Sequence, residues 1–422
     1  MQCVGKPPLS ESPHPKRRNR AAQSVGVMLI DARKTLSAAG VFISALVIGL
    51  PLGCATSPSA PEPTQQSASH TKACGMSDPT IADLATDRGK TFGTAYRSTY
   101  AANDPCYEQV AATEFNSLTT EIGTMMNTVQ PDPQRFDFKE ADAVATLAER
   151  TGLDFQIHSL IWDPLDQQQW GIVPDTIKML PPDQRHQLML DSISTVMGRY
   201  AGRSSAVTVV NEAFDQMGNL QPNVWWDTTH SDQYIFDAYR AARLADPKAS
   251  LYYNDHSAET HSDKSNAIYD LVKRLRETTV EVNIDGKPTP KPLIDGMGFQ
   301  GHMLGGKGQQ PSTKDMASNL QRFADLGLKI RFTELDVRIP VVNGQADPAD
   351  LERQRQVYRT MTDLCLDQAQ CTGITLWGFT DKRSWITDYP ESFSGYGAAL
   401  PLSPRYERKP AWAGITDALE NH

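Results

Sequence analysis

A closed barrel of eight parallel strands, each followed by a helix, is the fold class this sequence predicts: α/β, a (β/α)8 TIM barrel. Three observations point there. Eight short, β-rich apolar runs recur from about residue 78 onward, and stretches of helical period separate most of them. No glycine-rich GxGxxG follows the first run, which leaves the alternative, an open doubly wound sheet, without support. The runs are rich in Val, Ile, Leu, Phe and Tyr, as strands buried on both faces should be. A chain of 422 residues holds one such barrel or two to three average domains, and no internal repeat is visible.

The eight runs are KTFGTAY (90–96), EFNSLTTE (114–121), DFQIHSLIW (154–162), AVTVVNE (206–212), SLYYND (250–255), IDGMGFQGH (294–302), KIRFTELDV (329–337) and GITLWGFTD (373–381). Between the second and third, residues 138–152 place Ala141, Val144, Leu147 and Ala148 on one stripe and stop at Gly152. Residues 234–247 repeat the pattern and stop at Pro247; 266–277 and 319–327 follow, the last with Gly327 where a helix should end. GKPTPKP (286–292) reads as a solvent loop inserted before the sixth strand.

Residues 1–54 read as an export signal. Basic KRRNR (16–20) and Arg33-Lys34 precede an uncharged stretch from Thr35 to Gly53, and Met28 is a start that gives the signal an ordinary length. A transmembrane anchor is the competing reading, weakened by the Ala and Gly in the stretch. Cys54 after Leu52-Gly53 resembles a bacterial lipoprotein cleavage site, although Pro51 departs from that pattern; membrane attachment by lipid at Cys54 and plain secretion both stand. Residues 55–77, rich in Pro, Ser, Ala and Gln, are expected to be a flexible linker, and 78–422 the folded (β/α)8 domain.

Of six cysteines, Cys74, Cys106, Cys365 and Cys371 lie beyond the export segment. An even number in an exported chain suggests disulfides, Cys365 with Cys371 and Cys74 with Cys106, against the alternative of buried free thiols. The net charge of −9 argues against a nucleic-acid partner, whereas a neutral substrate is indifferent to it.

Barrel active sites sit at the carboxyl ends of the strands. There the runs place Glu121, His158, Trp162, Asn211-Glu212, Asn254-Asp255, Gln300, His302, Glu334, Asp336 and Trp377, with Asp381 and Trp385 just beyond. One acid at a strand end is ordinarily structural. Two carboxylates, Glu212 and Glu334, among converging amides, imidazoles and indoles are the apparatus for cleaving a glycosidic bond: the polar groups bond sugar hydroxyls and the rings cover sugar faces. Two carboxylates and water suffice, so no cofactor is implied; nothing points to an obligate partner chain, and a monomer is expected.

VVNEA (209–213), FTELDV (332–337), DGMGFQGH (295–302), LYYND (251–255), FNSLTTE (115–121), TLWGFTDKRSW (375–385) and RYERKPAW (405–412) resemble glycoside hydrolase family 10, the endo-β-1,4-xylanases, in order and from about Ile81 to Ile415. The resemblance implies retention of configuration, with Glu212 as general acid/base and Glu334 as nucleophile. It implies that Asn211 bonds the sugar 2-hydroxyl, that His302 holds Glu334 as does Gln300 through sugar or nucleophile, and that Asp336 orients His302. Glu121, His158 and Trp162 would line the sugar site, and Trp377 and Trp385 its aromatic wall. The substrate would be a polysaccharide or oligosaccharide β-glycoside.

One stretch departs from the family pattern T-x-E-N-x-x-K-W. After Glu121, Ile122 stands for the Asn, Met125 for the Lys and Met126 for the Trp, and Asp163 also differs. Lost polar grips predict weak activity on plain xylan, or preference for a β-glycoside bearing a more apolar group. Two other classes compete: a metal hydrolase using His256, His261, Asp255 and Glu259, which lacks an HExxH or compact ligand pattern, and a carbohydrate-binding module with lost catalysis.

Overall fold

The computed structural model describes residue 74 and residues 76–163, 171–226 and 230–422. The export segment, Cys54 and nearly all of the linker lie outside the described residues.

Eight parallel strands close on themselves: β1 (Thr91–Tyr96), β2 (Ser117–Thr120), β3 (Asp154–Ile157), β4 (Ser204–Asn211), β5 (Leu251–Asp255), β6 (Gly296–Phe299), β7 (Lys329–Val342) and β8 (Cys371–Leu376). Each pairs with the next, and β8 returns to β1 through Thr91 opposite Gly373. A helix follows each strand: Pro105–Glu114, Lys139–Thr151, Pro182–Arg199, Gln233–Ala245, Asp263–Glu277, Thr313–Ala324, Pro348–Asp367 and Pro410–Asn421. Every residue of β2, β5 and β6 is buried, because barrel strands face packed side chains inside and helices outside.

Local chemistry sets the helix limits. Ala141, Val144, Leu147 and Ala148 are buried on one stripe, and Gly152 ends that helix at φ 74°. Two helices begin earlier than their apolar periodicity shows, because a serine caps each: Ser262 accepts from the Ser265 N–H, and Ser312 from that of Asp315. Residues 286–292 are not a loop. They form half of a hairpin, Thr279–Ile284 against Lys287–Pro292, turned by Asp285 and Gly286 at φ 52° and 83°. Pro288, Pro290 and Pro292 alternate along it, so each falls at a position where the ladder asks for no N–H.

Both disulfides are formed, Cys74–Cys106 and Cys365–Cys371, each with Cα atoms 5.3 Å apart. The first ties the segment ahead of the barrel to the helix after β1; the second joins the last helical turn before β8 to its first residue. Such bridges belong to an oxidising, extracytoplasmic compartment.

Candidate active site

The strand ends converge on one cleft, lined among others by Glu121, His158, Trp162, Asn211, Glu212, Gln300, His302, Glu334, Trp377 and Trp385. Asp336 lies just behind it, fully buried. The residues given roles by the family resemblance therefore stand at or directly behind a single surface depression, whereas Asp381 instead bonds Lys409 and the Leu400 N–H.

Glu212 follows the last residue of β4 with φ 53°, a left-handed conformation that is uncommon outside glycine. Its Oε1 accepts from Gln300 Nε2 (2.7 Å) and Asn211 Nδ2 (3.3 Å), and its Oε2 from Trp162 Nε1 (3.0 Å). Burial first, then the charges of Asp255 and Glu334, raise its pKa to about 7, against the opposing Gln300 bond and Lys264 charge. The carboxyl is thus half protonated near neutrality.

Glu334, within β7, is set differently. Its Oε1 accepts from Asn254 Nδ2 (2.6 Å) and lies 3.8 Å from His158 Nδ1; its Oε2 lies 3.3 Å from His302 Nε2. Burial alone would raise its pKa, but the two imidazoles and the Asn254 amide outweigh burial and bring it below the ordinary carboxylate value. Glu212 holds its proton up to about pH 7 while Glu334, brought below the ordinary carboxylate value, is ionised, the division of labour between an acid and a nucleophile.

His302 is the bridge behind Glu334. Its Nδ1 is 2.8 Å from Asp336 Oδ2, which also accepts from Trp385 Nε1 at 2.7 Å. Burial lowers the imidazole's pKa, but the carboxylates of Asp336 and Glu334 carry it up to about 10, so the ring is cationic. Burial pushes the His158 imidazole down, against the charge of Glu334; its ring meets Trp377 edge-on at 4.9 Å. Glu121 accepts from Arg97 at 2.6 Å.

Gln300 does not sit on the Glu334 side chain; its side-chain amide binds Glu212, while its backbone carbonyl accepts the Glu334 backbone N–H at 2.8 Å. Asn254 had no assigned role, yet its amide reaches both Asn211 Oδ1 (2.8 Å) and Glu334 (2.6 Å) and so links the two catalytic strands. The only sequence signal for it is its place at the end of LYYND. Ile122 and Met125 form a small apolar cluster with Trp162 and Ile172 on the cleft wall. Met126 departs from expectation: it is 3% exposed and packs in the main core, leaving two apolar replacements rather than three at the cleft. Asp163 accepts from the Val224 N–H at 3.1 Å and serves the loop after β4. His261 contacts Ser318 and His256 contacts Lys264, so the two do not converge, and no cluster of three metal-ligating residues occurs among the described residues.

The family model for glycosyl hydrolase family 10 matches residues 80–418. This chain belongs to glycosyl hydrolase family 10. It is a glycosidase of a retaining family. Among curated proteins, it is 34% identical to endo-1,4-beta-xylanase 1 of Humicola insolens over 80% of this chain and 73% of that one. It is 33% identical to endo-1,4-beta-xylanase B of Thermotoga neapolitana over 74% and 83%. Among solved structures it resembles xylanase 10B of Thermotoga petrophila RKU-1 in complex with xylobiose (32% identity, TM-score 0.73), spanning 82% of this chain and 98% of that one. Native xylanase 10B of Thermotoga maritima is similar at 33% identity and TM-score 0.72, over 81% and 98%.

Proposed function

We propose that this family 10 glycosidase hydrolyses a β-1,4-linked xylan-type chain by double displacement. Glu334 attacks the anomeric carbon while Glu212 protonates the leaving oxygen; Glu212 then takes a proton from the water that releases the glycosyl-enzyme. The observation that carries this reading is the pair of carboxyls facing one cleft, Glu212 held by Gln300 and Trp162 and Glu334 held by Asn254 and His302. Forming the ester on Glu334 removes its negative charge, which lowers the Glu212 pKa and readies Glu212 to act as the base.

The other groups follow from their contacts. His302, held by Asp336, keeps Glu334 ionised and oriented. Asn211 and Asn254 fix the pair relative to each other, with Asn211 also placed to bond the sugar 2-hydroxyl. Trp377 and Trp385 offer ring faces to sugars, and His158, Trp162 and Glu121 complete the wall. Ile122 and Met125 present no hydrogen-bond partner to a hydroxyl, so the preferred substrate bears a less polar group at that wall. The first 54 residues direct export; mass spectrometry of the mature N-terminus separates a lipid on Cys54 from simple secretion.

The test is a rate comparison on xylo-oligosaccharides, other β-glucans and aryl β-glycosides, with Glu334→Gln as control. Turnover of a β-xyloside that Glu334→Gln abolishes supports the reading. Binding without turnover on any of them would instead mark a carbohydrate-binding protein.

A further inference from the structure

Directly beneath Glu212 lies a polar network that the bond-breaking step does not use. Tyr253 and Asp255 are fully buried and Lys264 is 1% exposed. Lys264 Nζ, in the first turn of the helix after β5, is 2.7 Å from Asp255 Oδ1. The Tyr253 hydroxyl donates to Asp255 Oδ2 at 2.7 Å and accepts the backbone N–H of Ala213, the residue after Glu212, at 3.0 Å. The Glu212 N–H itself donates to the Asn254 carbonyl at 3.0 Å. The left-handed backbone at Glu212 is therefore gripped on both sides by β5, and one grip is a hydroxyl oriented by a buried ion pair.

A buried ion pair is a poor device for stability alone, since desolvation of both charges offsets their attraction. A strained backbone persists only where its surroundings over-determine it. With Glu212 as acid and base, as proposed above, we infer that Tyr253, Asp255 and Lys264 are positioning residues that hold the Glu212 carboxyl on the leaving oxygen.

The charges facing Glu212 are Asp255 and Glu334, which favour its protonated form, and Lys264, which opposes it; Gln300 and Trp162 meet it as hydrogen-bond donors. His256, pushed down to about 3 by burial and the Lys264 charge, is neutral, its Nε2 3.3 Å from Lys264 Nζ. The network is thus a cation and an anion placed below one titrating carboxyl, with a hydroxyl linking the anion to the backbone N–H of the following residue, Ala213.

Tyr253→Phe removes only the hydroxyl and keeps the ring in the core. An unactivated xylo-oligosaccharide needs its leaving oxygen protonated, whereas a dinitrophenyl β-glycoside of the same sugar does not. For Tyr253→Phe, kcat/KM on the oligosaccharide is expected to fall ~10-fold, a modest part of what acid catalysis contributes, with little change on the dinitrophenyl glycoside. Asp255→Asn removes the anion that favours protonated Glu212, so the basic limb of its pH profile moves to lower pH. Equal losses on the two substrates, or no loss on either, would overturn the positioning role. An unmoved basic limb would overturn the part assigned to Asp255; if that variant does not fold, Tyr253→Phe decides. Wild-type protein that cleaves neither substrate contradicts the glycosidase reading itself, a distinct result.

Discussion

Replacing Glu212 by Gln should make the protein more stable at alkaline pH while disabling it. The native state raises this carboxyl from 4.5 to about 7. At 1.36 kcal/mol per unit, ionising it in place costs the folded protein about 3 kcal/mol. The sign follows from the direction of the shift. A carboxyl raised on folding binds its proton more tightly in the native state, so the native state loses stability as pH climbs from 4.5 through about 7, and the full penalty stands above that. A glutamine never ionises and escapes it. All other titrating groups are shared by the two proteins and largely cancel in their difference. At roughly 2 °C per kcal/mol for a domain of this size, the melting temperature of Glu212→Gln relative to wild type should rise by about 6 °C between pH 4.5 and pH 8. Paired thermal scans at one scan rate measure it. A difference that stays constant across that range would refute the claim that Glu212 is held protonated by its site.

Other outcomes follow from the same geometry. The kcat/KM profile should fall above pH about 7 as Glu212 ionises, and below the ordinary carboxylate range as Glu334 takes up a proton, giving a bell readable by steady-state kinetics. Asp336→Ala deprives cationic His302 and the Trp385 indole of their shared acceptor; losing one charged hydrogen bond of about 1.5–3 kcal/mol should lower kcat about 10- to 100-fold, and nitrogen NMR should show the His302 pKa falling from about 10. Restoring polar groups with Ile122→Asn and Met125→Lys should raise kcat/KM on xylo-oligosaccharides about 5-fold or more. Removing Cys74–Cys106, which closes the longer loop, should cost about 4 kcal/mol, and removing Cys365–Cys371 about 2 kcal/mol, measured as losses in denaturation midpoint.

The barrel was legible because its strands are buried on both faces. That demand writes apolar-rich runs such as AVTVV into the chain, and polar residues at their carboxyl ends have no packing reason to be there. Helix starts were less visible: Ser262 and Ser312 act through one hydrogen bond each, which leaves no periodic trace. The hairpin at 279–292 was hidden because its prolines resemble a loop until the register shows their N positions facing away from the ladder. Within the site, the strand-end residues could be named from their order, but contacts between strands could not. Asn254 reaching across to Glu334, and Gln300 turning to Glu212, depend on how β4, β5, β6 and β7 are staggered. The placement of Met126 in the main core while Met125 lines the cleft likewise depends on a short helical turn, Met126–Val129, too brief to carry a period.

In the proposed reaction Glu334 forms a covalent bond with the sugar while Glu212 supplies and removes the proton. Incubation with a mechanism-based fluoroglycoside of xylobiose, followed by peptide mapping, tests it most directly. One sugar per chain is expected, attached to the peptide containing Glu334. A label on another residue, or turnover of the reagent with no covalent species, would contradict it.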